Sequence, residues 1–170
     1  VASIYLQRGK QRADTIMMAR GFDRLAQSYS PYTNIKYTDS VIALTAKSTH
    51  ITYPAFGYIL KAYNYDKLDQ FKKANKYSYI AYDHALDVGN LSQQLYILEA
   101  FIFNKVVWGN KKEALALQQK RHQLLMSKAY LEKLYLATRK GARDSIDGYY
   151  NKQKTDSYLS FALCHHYLGQ

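Results

Sequence analysis

Apolar side chains recur every three or four residues along most of the chain, with polar residues between them, and that period predicts helices. Asp14 suits the N-cap of a first helix over about 14–29, with Ile16, Met17, Phe22 and Leu25 on one side. Pro31 and Asn34 mark a turn, and 37–47 reads as a partner helix. Pro54 fits the first turn of the next helix, which runs to about Tyr65. A long amphipathic stretch over 68–88 stops at Gly89-Asn90, and 91–108 followed by Gly109-Asn110 repeats the signal. Helices over 111–126 and 129–140 follow, with Gly141 as the next stop. The spacing then leaves room for a short or displaced helix over 144–153, and Thr155 or Asp156 caps a last one over 158–168.

The pattern repeats. Ala26…Tyr29, Ala62…Tyr65 and Ala100…Phe103 each place a small residue three before an aromatic one, at offsets of 36 and 38 residues. A second helix follows each time, and its inward face again carries a small residue: Ser40, Ala74 and Ala114. Small residues at fixed points of two consecutive helices let their backbones approach, so the repeating unit is a helix pair. Units cover about 13–50, 53–89, 91–128 and 129–153, with a partial unit over 155–170 whose Ala162…His165…Gly169 restarts the pattern without finishing it.

In this order of small residue, aromatic, turn and second-helix alanine the chain resembles the tetratricopeptide repeat family, whose nominal period is 34 residues. The second unit carries the pattern best, through Ala62, Tyr65, Phe71, Ala74 and Ala81, with Ser78 where the family prefers an aromatic residue. The resemblance implies an all-α, right-handed superhelical solenoid of about four hairpins forming a single domain over 1–170, cut from a longer protein. A narrower likeness rests on 53–61, on 73–77 and on Asp144-Ser145-Ile146 with Tyr149-Tyr150-Asn151-Lys152. That wording is similar to the sensor region of helix-turn-helix transcriptional regulators of Bacteroidetes-type bacteria. It implies a signalling role on the periplasmic side; without that likeness the expected location is cytoplasmic.

Composition narrows the classes. The 170 residues hold 2 Pro and 8 Gly, too few turn formers for a sandwich or barrel, and 48% apolar content is too high for a disordered chain. One cysteine, Cys164, excludes an internal disulfide framework and a cysteine-based metal site. No apolar run approaches the roughly 20 residues that span a bilayer, so no membrane contact is expected. The net charge is +11, and Tyr, at 18 residues, dominates the aromatics. Lys72, Lys73 and Lys76 share one helix, while Lys111, Lys112, Lys120 and Arg121 share another. Interleaved with Tyr, they make a nucleic-acid-binding helical repeat the alternative function. The simpler account is a solvated cationic face, because the charge is spread over several units.

Catalytic chemistry finds no foothold: no Gly-rich phosphate loop and no His-Glu-x-x-His spacing occurs. Cys164, His165 and His166 are adjacent, but neighbours on a helix point about 100° apart and do not chelate one ion together. Asp83, His84 and Asp87 share a helix near its C-terminus, where a solvated face is again the simpler account of the two carboxylates. No catalytic residue, metal or cofactor is therefore expected.

The expectation is a binding module whose first helices line a concave groove. Counted from the repeat alanines, the groove takes Arg20, Asp23 and Gln27, then Phe56, Ile59, Tyr63, Asp66 and Lys67, then Gln94, Ile97, Phe101, Asn104 and Lys105. An aromatic middle with a few amides suits a protein or peptide partner with apolar anchors, and Arg20, Lys67 and Lys105 favour an acidic one. Ile59, Ile97 and Phe101 are equally explained as packing between units. Leu159, Phe161, Leu163 and Leu168 form an apolar face on the last helix, open to a homodimer contact.

Overall fold

The computed structural model describes residues 1–107, 110–136 and 143–168, with the backbone alone at 135, 143–146, 167 and 168. All regular elements among them are helices: α1 Ala2–Arg12, α2 Thr15–Leu25, α3 Pro31–Thr45, α4 Ala55–Asp66, α5 Phe71–Asp87, α6 Leu91–Val107, α7 Lys111–Leu125, α8 Lys128–Leu136 and α9 Arg143–Leu168. The expected end signals at Trp108, Gly109, 137–140 and Gly141, and the final Gly169, lie outside the described residues. Two compact units divide the chain, Val1–Gln93 and Gln94–Gln170.

In the first unit each helix packs chiefly on its neighbour in sequence, from α1 on α2 through to α4 on α5. The opening helix α1 lies ahead of the expected first repeat. Two glycines seat it: a Cβ on Gly9 would come within 2.6 Å of the Met18 side chain, and one on Gly21 within 2.7 Å of Leu6. Asp14 caps α2 as expected, its carboxylate accepting the Met17 N–H at 2.8 Å. The apolar core here is Ala19, Val41 and Tyr53, with Ile16, Phe22 and Phe56 packed against it.

One turn is used repeatedly. Ala13, Asp69 and Gly89 adopt positive φ of 51°, 56° and 63°. In each case the next residue sends its N–H to the carbonyl five positions back: Asp14 to Gly9 at 2.9 Å, Gln70 to Tyr65 at 2.9 Å and Asn90 to Ala85 at 2.8 Å. The Asn110 N–H reaches the Lys105 carbonyl at 2.9 Å by the same spacing. The left-handed turns at Ala13, Asp69 and Gly89 satisfy carbonyls that the helix ends leave open.

The expected turn at Pro31 to Asn34 is corrected by the structure. Pro31 occupies the first position of α3, where its missing N–H costs nothing, so the helix begins six residues before 37. Asn34 is inside that helix and buried. Its Oδ1 accepts the Tyr29 N–H at 3.0 Å, and its Nδ2 donates to the Tyr29 carbonyl at 2.9 Å and to Asn64 Oδ1 at 3.1 Å. Asn34 thus makes the α2–α3 turn with its side chain and joins it to α4.

In the second unit α7 packs mainly on α9, and α8 touches both only slightly. Ile102 of α6, Ala114 of α7 and Cys164 of α9 form its apolar cluster, with Val106, Leu115 and Leu117 against it. The two expected helices over 144–153 and 158–168 are one continuous helix, because nothing between them breaks it: Thr155 Oγ1 donates back to the Asn151 carbonyl at 3.1 Å instead of capping a new start. Tyr150 donates to the Leu125 carbonyl at 3.1 Å and Tyr130 to Gln153 at 2.9 Å, which pins the first half of α9.

Candidate functional site

The two repeat alanines expected to behave alike do not. Ala62 is 6% exposed, as a close helix contact requires. Ala100 is exposed, and its companion Phe103 is 67% exposed. The two faces of α6 are interchanged relative to the expected register. Gln94, Ile97 and Phe101, placed in the groove by counting, are 5%, 2% and 1% exposed and belong to the packing of the helix. Leu95 and Leu98 share that packed side. Asn104 and Lys105 are half-buried, and Lys105 is held by Glu113 at 2.9 Å instead of standing at an edge.

The groove positions of the first unit also divide. Arg20, Gln27, Tyr63 and Lys67 are exposed, with the Lys67 ammonium 4.6 Å from the Tyr63 ring centroid. Asp66 is half-buried, Phe56 packs edge-on to Tyr53 at 6.2 Å, and Ile59 is buried. Asp23 is buried and accepts a hydrogen bond from the Tyr53 hydroxyl, with Arg24 Nε 3.8 Å away. Burial pushes the Asp23 carboxyl pKa up, against the opposing pull of Tyr53, Arg24 and Arg20. Burial and the Asp23 contact push the Tyr53 phenol well above its usual range. Gln27 closes the group by donating to the Asp23 carbonyl at 3.0 Å. The sequence placed Asp23 on a ligand surface; the structure makes it a buried strut between α2 and the segment before α4.

A feature outside the expected site joins α4 to α5. Four rings stack nearly parallel, alternating between the helices: Tyr65 on Tyr77 at 5.4 Å and 6°, Tyr77 on Tyr58 at 6.3 Å and 16°, and Tyr58 on His84 at 5.4 Å and 9°. Lys73 lies 5.2 Å from the Tyr65 centroid and Lys61 4.4 Å from that of Tyr77. Lys61 also pairs with Asp39 of α3. Burial works against the Lys61 charge, but Asp39 and Tyr77 outweigh it and hold the pKa above the ordinary lysine value. The signal was present as two aromatic pairs seven residues apart, Tyr58 with Tyr65 and Tyr77 with His84. Because the rings cover one another's faces, the inner tyrosines offer no open platform for a nucleobase.

The second unit carries a buried polar cluster that the sequence did not single out. Gln118 Nε2 donates to the Ser157 carbonyl at 2.8 Å and to its Oγ at 3.1 Å, and the same Oγ lies 3.1 Å from His122 Nδ1. A serine touching a histidine suggests a nucleophile, yet Ser157 is fully buried and beyond reach of a substrate. The contact works as a lock between α7 and α9. His122 meets Tyr158 and Phe161 edge-on at 5.0 and 5.1 Å, which leaves Leu159 and Leu163 of α9 exposed at 58% and 56%.

Among the described residues no group of three or more His, Cys, Asp or Glu is placed to hold a metal ion, and no helix is long and apolar enough to cross a membrane. Cys164 is buried, which raises its thiol pKa, while Asp83 and Asp87 are exposed beside the stacked His84. Lys72, Lys73 and Lys76 are exposed on α5. No protein-family model, curated protein or solved structure matches this chain.

Proposed function

We propose that this chain is a non-enzymatic interaction module that binds a protein or peptide partner. On this proposal it is the sensor part of a bacterial transcriptional regulator, as the narrower likeness at 53–61, 73–77 and 144–152 implies. One observation carries the binding role: large apolar side chains stand on helix faces with half or more of their surface in water, Tyr63 at 50%, Tyr96 at 56%, Val107 at 62% and Phe103 at 67%. On α6, Tyr96, Phe103 and Val107 continue one exposed face with Ala100, and a contiguous apolar face of that kind marks a place where another molecule is received. The excess of positive charge favours an acidic partner through encounter rate more than through final affinity.

The test uses the chain as bait in an extract of its source cells, with and without nuclease. The expected result is a protein partner retained after nuclease, whose capture falls when Tyr63 or Phe103 is replaced by Ser. Retention of nucleic acid alone, with affinity falling steeply as salt rises, would overturn the proposal in favour of nucleic-acid binding.

A further inference from the structure

Helix α6 is apolar on two sides. Leu95, Ile97, Leu98, Phe101 and Ile102 are buried on one, and on the other Tyr96, Ala100, Phe103 and Val107 are exposed. A helix apolar nearly all round is the kind found covered on both sides. The exposed four follow one another at steps of four, three and four residues, the repeat of a coiled-coil seam. Their order also alternates in size. Tyr96 and Phe103 project as knobs, and Ala100 between them leaves a hole for a partner's side chain.

We propose that the Tyr96, Ala100, Phe103, Val107 face of α6 is a docking seam for an acidic amphipathic helix. The step pattern selects a helix over an extended peptide, because a strand's period of two does not keep pace with it. Charge selects the acidic kind. From α6 through α7 the chain carries Lys105, Lys111, Lys112, Lys120 and Arg121 against only Glu99 and Glu113. Both carboxylates are engaged, Glu99 by Arg121 at 3.1 Å and Glu113 by Lys105 at 2.9 Å. A second copy of the chain is disfavoured as occupant, since each copy carries +11. The seam deepens the interaction-module proposal and rests on it.

The probe is a synthetic helical peptide of roughly three heptads, with Leu at the seam positions and Glu on the flanks. Binding is followed by anisotropy of a labelled peptide and by emission of Trp108, the chain's single tryptophan, next in sequence to Val107. The Glu peptide is expected to bind, and Phe103→Asp is expected to weaken it about tenfold or more with helical content unchanged. Tyr32→Ser, at a 67%-exposed position of α3 outside the seam, should leave this binding as it is. A Lys-flanked version of the peptide should bind at least about tenfold more weakly at low salt. No binding, or equal binding of the two peptides, overturns the seam. So does a dimer of the parent chain that Phe103→Asp dissociates, which would make a second copy the occupant. Partner capture that survives Phe103→Asp but is lost with Tyr63→Ser also overturns it, while leaving the interaction module standing.

Discussion

Asn34 ties the α2–α3 turn to α4, and its replacement by Ala tests that tie directly. Three hydrogen bonds go at once: two to the Tyr29 backbone and one to Asn64 Oδ1. Their losses are unequal. Tyr29 is exposed, so water takes over its N–H and carbonyl, and each exchange costs about 1 kcal/mol. Asn64 is 1% exposed, and its Oδ1 is left without a donor where water does not reach, which costs about 1–3 kcal/mol. The sum is about 3–5 kcal/mol, large against the ~5–15 kcal/mol that stabilises a typical domain. The double variant Asn34→Ala/Asn64→Ala removes the orphaned acceptor as well, so it should be less destabilised than the two single variants added together, by about 1–2 kcal/mol. Urea unfolding followed by helical circular dichroism measures the totals, and hydrogen exchange of the α3 and α4 amides assigns the loss to this unit. A change below about 0.5 kcal/mol for Asn34→Ala, or strict additivity in the double variant, would refute the role given to the buried amide pair.

Four further outcomes follow from the geometry. Ala62→Leu should destabilise by about 1–3 kcal/mol through overpacking, whereas Ala100→Leu, on an exposed face, should stay within about 0.5 kcal/mol, as read by thermal unfolding of the pair. Asp69→Gly should stabilise by about 1 kcal/mol, because a left-handed backbone penalises a side chain there, and Gly89→Ala should destabilise by a similar amount; urea midpoints compare them. Burial raises the folded-state pKa of Asp23, so its contribution is fully present below the unfolded carboxylate pKa and is lost as pH rises through the folded value. Asp23→Asn should therefore gain stability relative to the parent between acid and neutral pH, and a constant difference across that range would count against the buried charge. Tyr77→Ala should remove near-ultraviolet circular dichroism beyond one tyrosine's share, since it parts Tyr65 from Tyr58 and removes the ring beneath Lys61.

Much of the helical architecture is legible in the sequence because the apolar period and the turn residues act locally. Asp14, Pro54 and Gly89 mark the ends they were expected to mark. What is not legible depends on partners distant in sequence. Asn34 has the composition of a turn residue, and only the approach of Asn64 shows why it lies inside a helix. Glycine normally weakens a helix, and only the contact of α1 with α2 shows what Gly9 and Gly21 contribute. The groove count failed on α6 because that helix is apolar on both sides, so its pattern does not say which face turns inward. Asp23 illustrates the same limit for polar residues: counting along the helix places it on a ligand surface, and only the approach of Tyr53 shows why it is buried.

The order of packing in the first unit bears on how it responds to load. Each helix there leans mainly on the next one along the chain, and the longer ties, Tyr53 to Asp23 and Asn90 to the Ile51 carbonyl, do not join α1 to α5. Tension applied at Val1 meets the α1–α2 contact first, and the remaining contacts bear load in turn instead of together. Such a unit should peel helix by helix at low force, with steps the length of one released helix, and re-form quickly because each contact spans a short loop. The second unit should yield differently, because α7 and α9 grip each other across α8 and enclose it in a loop that opens only when their contact breaks.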